Sequence, residues 1–489
     1  MSQRLKRVRS DSLWLKRSSA SVLCSLRSWA ELEDLLQTKE SPPSPSVTRA
    51  FRLQKPPEIN RKKGKLIFFR DVHGWCPYSE RVWLALELKG VPFECVLVDN
   101  LGYRPDWWYD VNPSGQTPAM TFLDGKTQSD SIPLLRQIDA EFPDSGPSLV
   151  PTDAQEAENA KRAVEGFREW MPRGARPSSR GAFLFQGGGA VPRDEFERTF
   201  DRLESFLQSV QEGKKQKGKE SNAPMFMAGG AAPTLADCVW VPFLERFAVQ
   251  VPLLHPAEAG GKEALCPRSD RWPLLCAWYD AMESLPVYAA RVRGDRQSWT
   301  RVLGAAVGGG LEARVRKTVQ ASEREMEEEE AEAEAEDLMS SDAEVWSVYR
   351  SEVLKGRGES LPVSPSHDVA ARMIVNREAM RRDFGGWKRS EGRETGKKGG
   401  RSEEEKDALV DAGLRMCVEA MIDAAGDNEL VRLVAEESDP GVRDEAVMLC
   451  EYFPQRLCVP RDMGALSGKA LRYRLKLLRR VLNKNLPSQ

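Results

Sequence analysis

The stretch from Lys65 to Phe142 constrains the fold more than any other part of the chain, because its local signals change in a definite order. Leu66–Phe69 is a short apolar run suited to a buried strand, Asp71–Trp75 reads as a loop, and Cys76–Lys89 reads as a helix. Pro77 suits the first helical position, where its missing N–H has no partner to lose, and Gly90 supplies the stop. Phe93–Val98 is a second strand, and a strand–helix–strand succession makes its two strands parallel. A Trp-containing stretch that follows reads as irregular. Ala119–Leu123 and Lys126–Gln128 then flank Asp124-Gly125, which predicts a tight antiparallel hairpin of the type I′ kind. Ser131–Phe142 carries Ile132, Leu135 and Ile138 at helical spacing. The order βαβ then ββα is that of an open mixed sheet covered by helices.

After Pro151 the strand signals disappear. Ala154–Trp170, Asp194–Val210, Thr234–Val251 and Pro273–Leu285 read as helices, the second with an apolar stripe of Phe196, Phe200, Leu203, Leu207 and Val210. Thr234 to Asp237 forms a variant capping box, and Arg173–Arg193 and Lys214–Ala223 read as surface loops. Gly187–Gly189 lacks the Lys-Ser/Thr of a phosphate cradle and reads as a flexible loop. The Glu/Ala run Glu323–Asp337 reads as a solvated helix or linker. Beyond it, Asp368–Phe384, Glu403–Ala424 and Val442–Phe453 are expected to be helical, with Leu409, Val410, Leu414, Cys417, Val418 and Met421 as a core stripe. Arg389–Arg401 reads as disordered, and Lys469–Lys484 as a basic amphipathic helix packed on a local core.

With 489 residues, 40% of them apolar, the chain has room for two or three domains. A net charge of -2 gives no reason to expect nucleic acid, and no apolar run reaches the roughly 18 to 20 residues of a membrane helix. Nine cysteines without a CxxC pair and only three histidines point to reduced thiols and to no metal site. His73, three residues before Cys76, is expected to shape its loop. The first thirty residues are rich in Arg, Lys and Ser with one acid, Asp11, which fits either an organelle transit peptide or a basic tail. The expected location is a plastid or other organelle in the first case and cytoplasmic in the second; folding is expected to begin near Lys65.

The chemistry centres on Trp75-Cys76-Pro77-Tyr78-Ser79. A thiol where a strand hands over to a helix meets the positive end of the helix dipole, which is expected to lower its pKa from about 8.5 and make a nucleophilic thiolate. Because Ser79 stands where a resolving cysteine would, turnover needs an external thiol, and glutathione is the obvious one. Two further elements have two readings each. A cis bond before Pro118 would turn the Thr117 backbone toward a peptide-like ligand, whereas a trans bond makes it an ordinary strand entry. Asp130-Ser131 either hold a γ-glutamyl group or simply cap the next helix.

Residues 65–150 resemble the N-terminal domain of omega-class glutathione transferases and of the related lambda and dehydroascorbate-reductase classes. The resemblance rests on the Cys-Pro-aromatic motif with Glu80-Arg81, on Arg104-Pro105-Asp106-Trp107, on Asn112 to Pro118, and on Asp130-Ser131. Residues 151–305 resemble the family's helical domain, through Gly229 and the Thr234–Asp237 box. It implies an α/β thioredoxin-like domain followed by an all-α domain, then an acidic linker at 306–342 and a helical extension at 343–489, with 1–64 as leader and linker. It also implies a mixed disulfide between glutathione and Cys76. Pro77, Tyr78, Arg104, Thr117, Pro118, Asp130 and Ser131 would bind the tripeptide, Thr117 through its backbone and Asp130-Ser131 at the γ-glutamyl end. The expected activity is thiol transfer to, or reduction of, a small or protein disulfide or a dehydroascorbate-type oxidant. An apolar substrate site is expected between the domains, with Tyr78 and Trp107 as candidates. Homodimerisation and a protein partner for the extension stay open, and the alternative is a non-catalytic interaction module of the same fold.

Overall fold

The computed structural model describes residues 26–36, 64–100, 102, 104–175, 182–216, 224–257, 263–307, 313, 315–322, 342–352, 361–393, 402–422, 427–436 and 439–484. They fall into two compact units: Ser46–Pro365 with Leu457–Lys469, and Met1–Pro45 with Ser366–Arg456 and Ala470–Gln489. Helix α1 (Trp29–Leu35) opens the chain order and belongs to the second of these. The acidic run Glu323–Asp337 and the first 25 residues lie outside the described residues.

The first unit begins with β1 (Ile67–Asp71), α2 (Pro77–Lys89), β2 (Glu94–Val98), α3 (Asp106–Val111), β3 (Ala119–Thr121), β4 (Thr127–Ser129) and α4 (Ser131–Glu141). The sheet order is β2-β1-β3-β4, with β1 parallel to β2 and antiparallel to β3. Alternate residues of β1 serve opposite faces. Phe68 joins Met120, Leu84, Leu134 and Leu135 on the face covered by α2 and α4, while Ile67 and Phe69 join Val96, Val98 and Trp108 on the face covered by α3. Each such buried phenylalanine contributes about 1.5–3 kcal/mol relative to exposure. Helix α2 is buried on nearly every side and ends as expected at Gly90, whose φ of 60° is the left-handed stop. Its last residue, Lys89, is tied by a 2.9 Å ion pair to Asp139 of α4.

Two local expectations need correction. The β3–β4 hairpin is not type I′, because only Gly125 has positive φ (84°) and Asp124 does not. Gly125 donates its N–H to Phe122 O and Phe122 donates to Lys126 O, the pattern of a type I turn closed by a left-handed glycine. The Trp-containing stretch is not wholly irregular. Six of its residues form α3, which starts at Pro105-Asp106 and is too short to show a helical period.

The rest of the first unit is helical: α5 (Ala154–Trp170), α6 (Arg193–Gln216), α7 (Leu235–Leu254), α8 (Pro273–Glu283), a π-helical turn at Tyr288–Val292 and α9 (Arg296–Ala306). The stripe from Phe196 to Val210 is buried. Strand structure does not end at Pro151, since β5 (Phe185–Gln186) and β6 (Gly189–Ala190) make a two-stranded hairpin inside the expected surface loop. Gly187 and Gly188, both at positive φ, form its turn.

In the second unit, α10 (Pro365–Ser390), α11 (Glu403–Ile422), α12 (Asp427–Glu436), α13 (Pro440–Arg456) and α14 (Ala465–Lys484, from Ala470 on) supply the core. The expected α11 stripe is buried, and so are Leu471, Leu475, Leu478 and Val481 of α14, which settles that helix as a packed one. Arg389–Arg401 is helical to Ser390, and residues 394–401 lie outside the described part. Structure also starts well before Lys65. A reciprocal Ser28–Glu31 capping box opens α1, Leu32 is fully buried, and Trp29 Nε1 donates to Asp411 at 3.0 Å. The architecture is thus a thioredoxin-like domain followed by an all-helical one and a helical extension.

Candidate active site

The last residue of β1 begins the site. Asp71 accepts the Trp75 N–H at 2.7 Å and so shapes the turn Val72–Trp75, while Arg246 of α7 donates to Trp75 O at 3.2 Å. Cys76 is the N-cap of α2 and Pro77 its first helical residue. The Cys76 thiol lies 3.7 Å from Thr117 O, and the Thr117–Pro118 bond is cis, so the cis reading is the correct one. The segment before it is braced from within: Asn112 donates to Gln116 O at 2.7 Å and Asn100 to Thr117 Oγ1 at 2.6 Å.

The electrostatics of Cys76 differ from expectation. Its residue is only 6% exposed, and burial pushes the thiol above the ordinary cysteine value, with the Asp71 carboxylate adding to the rise. The Ser79 hydroxyl and amide and the Thr117 side chain pull the other way, as a helix N-terminus should, but they do not prevail. The thiolate expected from the helix start is therefore corrected to a resting thiol in this structure.

Asp130 and Ser131 open α4, but not as simple caps. The Asp130 side chain makes no capping hydrogen bond, is exposed, and sits on a backbone at φ 76°, an uncommon conformation for a non-glycine residue. Ser131 is buried and its hydroxyl accepts from Arg81 at 3.2 Å. Arg81 is itself 2% exposed. Its guanidinium lies against Tyr78, Phe167 and Phe243 and donates to Val239 O, and burial lowers its pKa to about 10, which leaves it cationic at neutral pH. A cation in such a place, joined to the Ser131 hydroxyl, favours an anionic group next to Ser131.

Neighbouring Glu80 pairs with Arg246 at 2.8 Å, both fully enclosed. Glu245 takes hydrogen bonds from Tyr288, the Gly294 N–H and Trp299 Nε1. With Asp71 and Glu245 also acting on it, Glu80 rises to about 8, burial being the main cause.

Of the sequence-based candidates, Cys76, Pro77, Thr117 and Pro118 meet around the sulfur, and Ser131 is linked through Arg81 to Tyr78. Arg104 is half-buried ahead of α3, and none of its side-chain contacts among the described residues ties it to the others. Trp107 is not a substrate-site candidate, because it packs with Trp108 on the sheet face covered by α3, whereas Tyr78 faces Phe243 of the helical domain. His73 stacks on Trp75 at 4.7 Å and lies 3.8 Å from Asp99, so it shapes the loop as expected. Sequence reasoning missed Arg81 and Arg246 as members of the site. Arg81 stood in the sequence only as part of the matching motif, and Arg246 carried no local signal.

A cysteine thus stands at the head of the first helix of a thioredoxin-like domain and faces a cis-proline loop, and an all-helical domain follows. The profile of the family "Glutathione S-transferase, N-terminal domain" matches residues 75–141. Glutathione S-transferase L1 of Arabidopsis thaliana is 29% identical over 215 residues, 44% of this chain and 76% of that protein. Glutathione S-transferase omega-1 of Mus musculus is 24% identical over 213 residues, 44% of this chain and 75% of that one. The rice protein "Probable glutathione S-transferase DHAR1, cytosolic" is 41% identical over 80 residues, 16% of this chain and 36% of its own length. Through the part these matches span, the chain is similar to the glutathione S-transferase superfamily, the omega, lambda and DHAR classes among its matches.

Proposed function

We propose that this protein is a glutathione-dependent thiol transferase or reductase acting through a mixed disulfide on Cys76. The observation that carries the reading is the Cys76 sulfur at the helix start, 3.7 Å from the Thr117 carbonyl. A backbone edge beside a thiol suits the cysteinyl part of glutathione, as an added strand suits a sheet edge. Uncapped Asp130 suits its α-amino group, Ser131 backed by Arg81 its α-carboxylate, and Arg104 its glycine carboxylate.

The reaction begins with loss of the thiol proton to solvent. The Cys76 thiolate attacks the glutathione sulfur of a substrate disulfide, the Cys76–sulfur bond forms, and the substrate leaves as a thiolate that takes up a proton. A second glutathione thiolate attacks the same glutathione sulfur, which releases glutathione disulfide and restores Cys76. With Ser79 in the fourth position, that motif holds no thiol to intercept the intermediate.

Burial of the thiol favours a second reading, a non-catalytic interaction module of this fold. One experiment separates the two. The purified chain is assayed with glutathione against a glutathionylated peptide and against dehydroascorbate, beside Cys76→Ser. Turnover that disappears in the variant supports the enzyme, no turnover above the protein-free rate in either protein supports the module, and equal turnover in both overturns Cys76 as the reacting thiol.

A further inference from the structure

A piece of chain far from the motif in sequence leans on the reactive loop. The turn Leu457–Gly464 belongs to the first unit and is buried apart from Arg461, which is half-buried. It is stiffened from within. Cys458 N–H donates to Asp462 Oδ2 at 2.8 Å, Asp462 N–H returns to Cys458 O at 2.9 Å, and Arg461 clasps the same carboxylate through two nitrogens at 2.7 Å. It is anchored on α9 and the π-helical turn: Val459 N–H donates to Ser298 Oγ at 2.8 Å, Arg301 donates to Leu457 O at 3.0 Å, and Gly464 lies so close to Ala290 that an added Cβ would stand 1.7 Å from its carbonyl oxygen.

From that footing the turn reaches the two residues before Cys76. A Cβ at Gly74 would touch the Arg461 backbone at 3.4 Å, so loop and turn are in backbone contact. The Trp75 indole N–H donates to Cys458 Sγ at 3.1 Å. Trp75 is thus held by its ring, by its own N–H on Asp71, and by its carbonyl under Arg246. Such a clamp sets where the next residue, Cys76, presents its sulfur, which is largely covered.

We propose that Leu457–Gly464 is a wall of the Cys76 site, acting through Trp75 as a positioning residue, and that it shuts bulky reagents out from the sulfur while admitting small ones. The proposal rests on Cys76 being the reactive thiol, but its test does not depend on glutathione chemistry.

The full-length chain is alkylated with iodoacetamide and, separately, with a polyethylene-glycol maleimide, and modification of the Cys76 peptide is followed by mass spectrometry with Cys76→Ser as the blank. Gly464→Ala dislodges the turn without touching Trp75. It should raise the maleimide rate at Cys76 about tenfold or more and the iodoacetamide rate much less, because only the bulky reagent depends on the opened population. Cys458→Ala and Trp75→Phe each remove one end of the clamp. They should shift the ratio of the two rates the same way, and combining them should add nothing further. Should Gly464→Ala fail to fold, the other two variants decide. An unchanged ratio in folded variants overturns the wall. Loss of the glutathione reading, shown by activity in Cys76→Ser, leaves this ratio test intact.

Discussion

Cys76 is where opposing influences meet. The start of α2 and Thr117 favour a thiolate, burial and Asp71 oppose it, and burial leads. The alkylation rate of Cys76 should therefore rise with pH through a midpoint above the ordinary cysteine value of about 8.5. Asp71→Asn, which keeps an acceptor for the Trp75 N–H and removes the charge, should move that midpoint down; a wild-type midpoint near neutrality would contradict the assignment. Glu80 makes a second residue-level test. Its pKa is raised to about 8 against an ordinary carboxylate near 4.3, so its stabilising share is complete below the ordinary value and is lost as pH climbs toward 8. Glu80→Gln does not titrate. Its melting temperature relative to wild type should improve between pH about 5 and about 8, and a difference that stays flat would show Glu80 ionised throughout by Arg246. Removing Arg246 takes away a cation that pulls the Glu80 pKa down, so in Arg246→Met the pH dependence of the melting temperature due to Glu80 should move to higher pH.

Among the elements, α7 shows how a capping box becomes a lock. Asp237 reaches back to the Thr234 N–H at 2.7 Å, but it also accepts from Met227 N–H and Trp278 Nε1, both at 2.9 Å. The Thr234 hydroxyl accepts from Ala236 at 3.3 Å. Thr234→Ala should cost about 0.5–2 kcal/mol, whereas Asp237→Ala, which orphans four buried donors, the Thr234 hydroxyl among them, should cost about 3 kcal/mol or more; equal costs in urea titrations would refute the lock. The box itself was legible in the sequence because both partners are four residues apart at most. What tied it to Trp278 was not. The same division runs through the other elements: α2 and α5 declared themselves by period and punctuation, while α3, β5 and β6 were too short to do so. Helix α1 was legible in Ser28 and Glu31, yet the basic residues before it drew attention to a leader instead.

At the scale of the molecule, the thioredoxin-like domain was readable because its signals switch between strand and helix in an order few folds share. The candidate site was readable where residues come from one motif, as with Cys76, Pro77 and Tyr78, or from turns with marked residues, as with Thr117-Pro118 and Asp130-Ser131. It was not readable where burial decides. The covering of the Cys76 sulfur, the cation of Arg81 beneath Ser131 and the return of Leu457–Gly464 to the reactive loop are tertiary facts that leave no local period.

Covalent capture tests the central claim most directly. The native full-length chain is incubated with glutathione disulfide, digested, and each cysteine-containing peptide weighed for a glutathionyl adduct. The account expects the adduct on the Cys76 peptide, removed by reduced glutathione. An unmodified Cys76 peptide, with adducts elsewhere or nowhere, would contradict it.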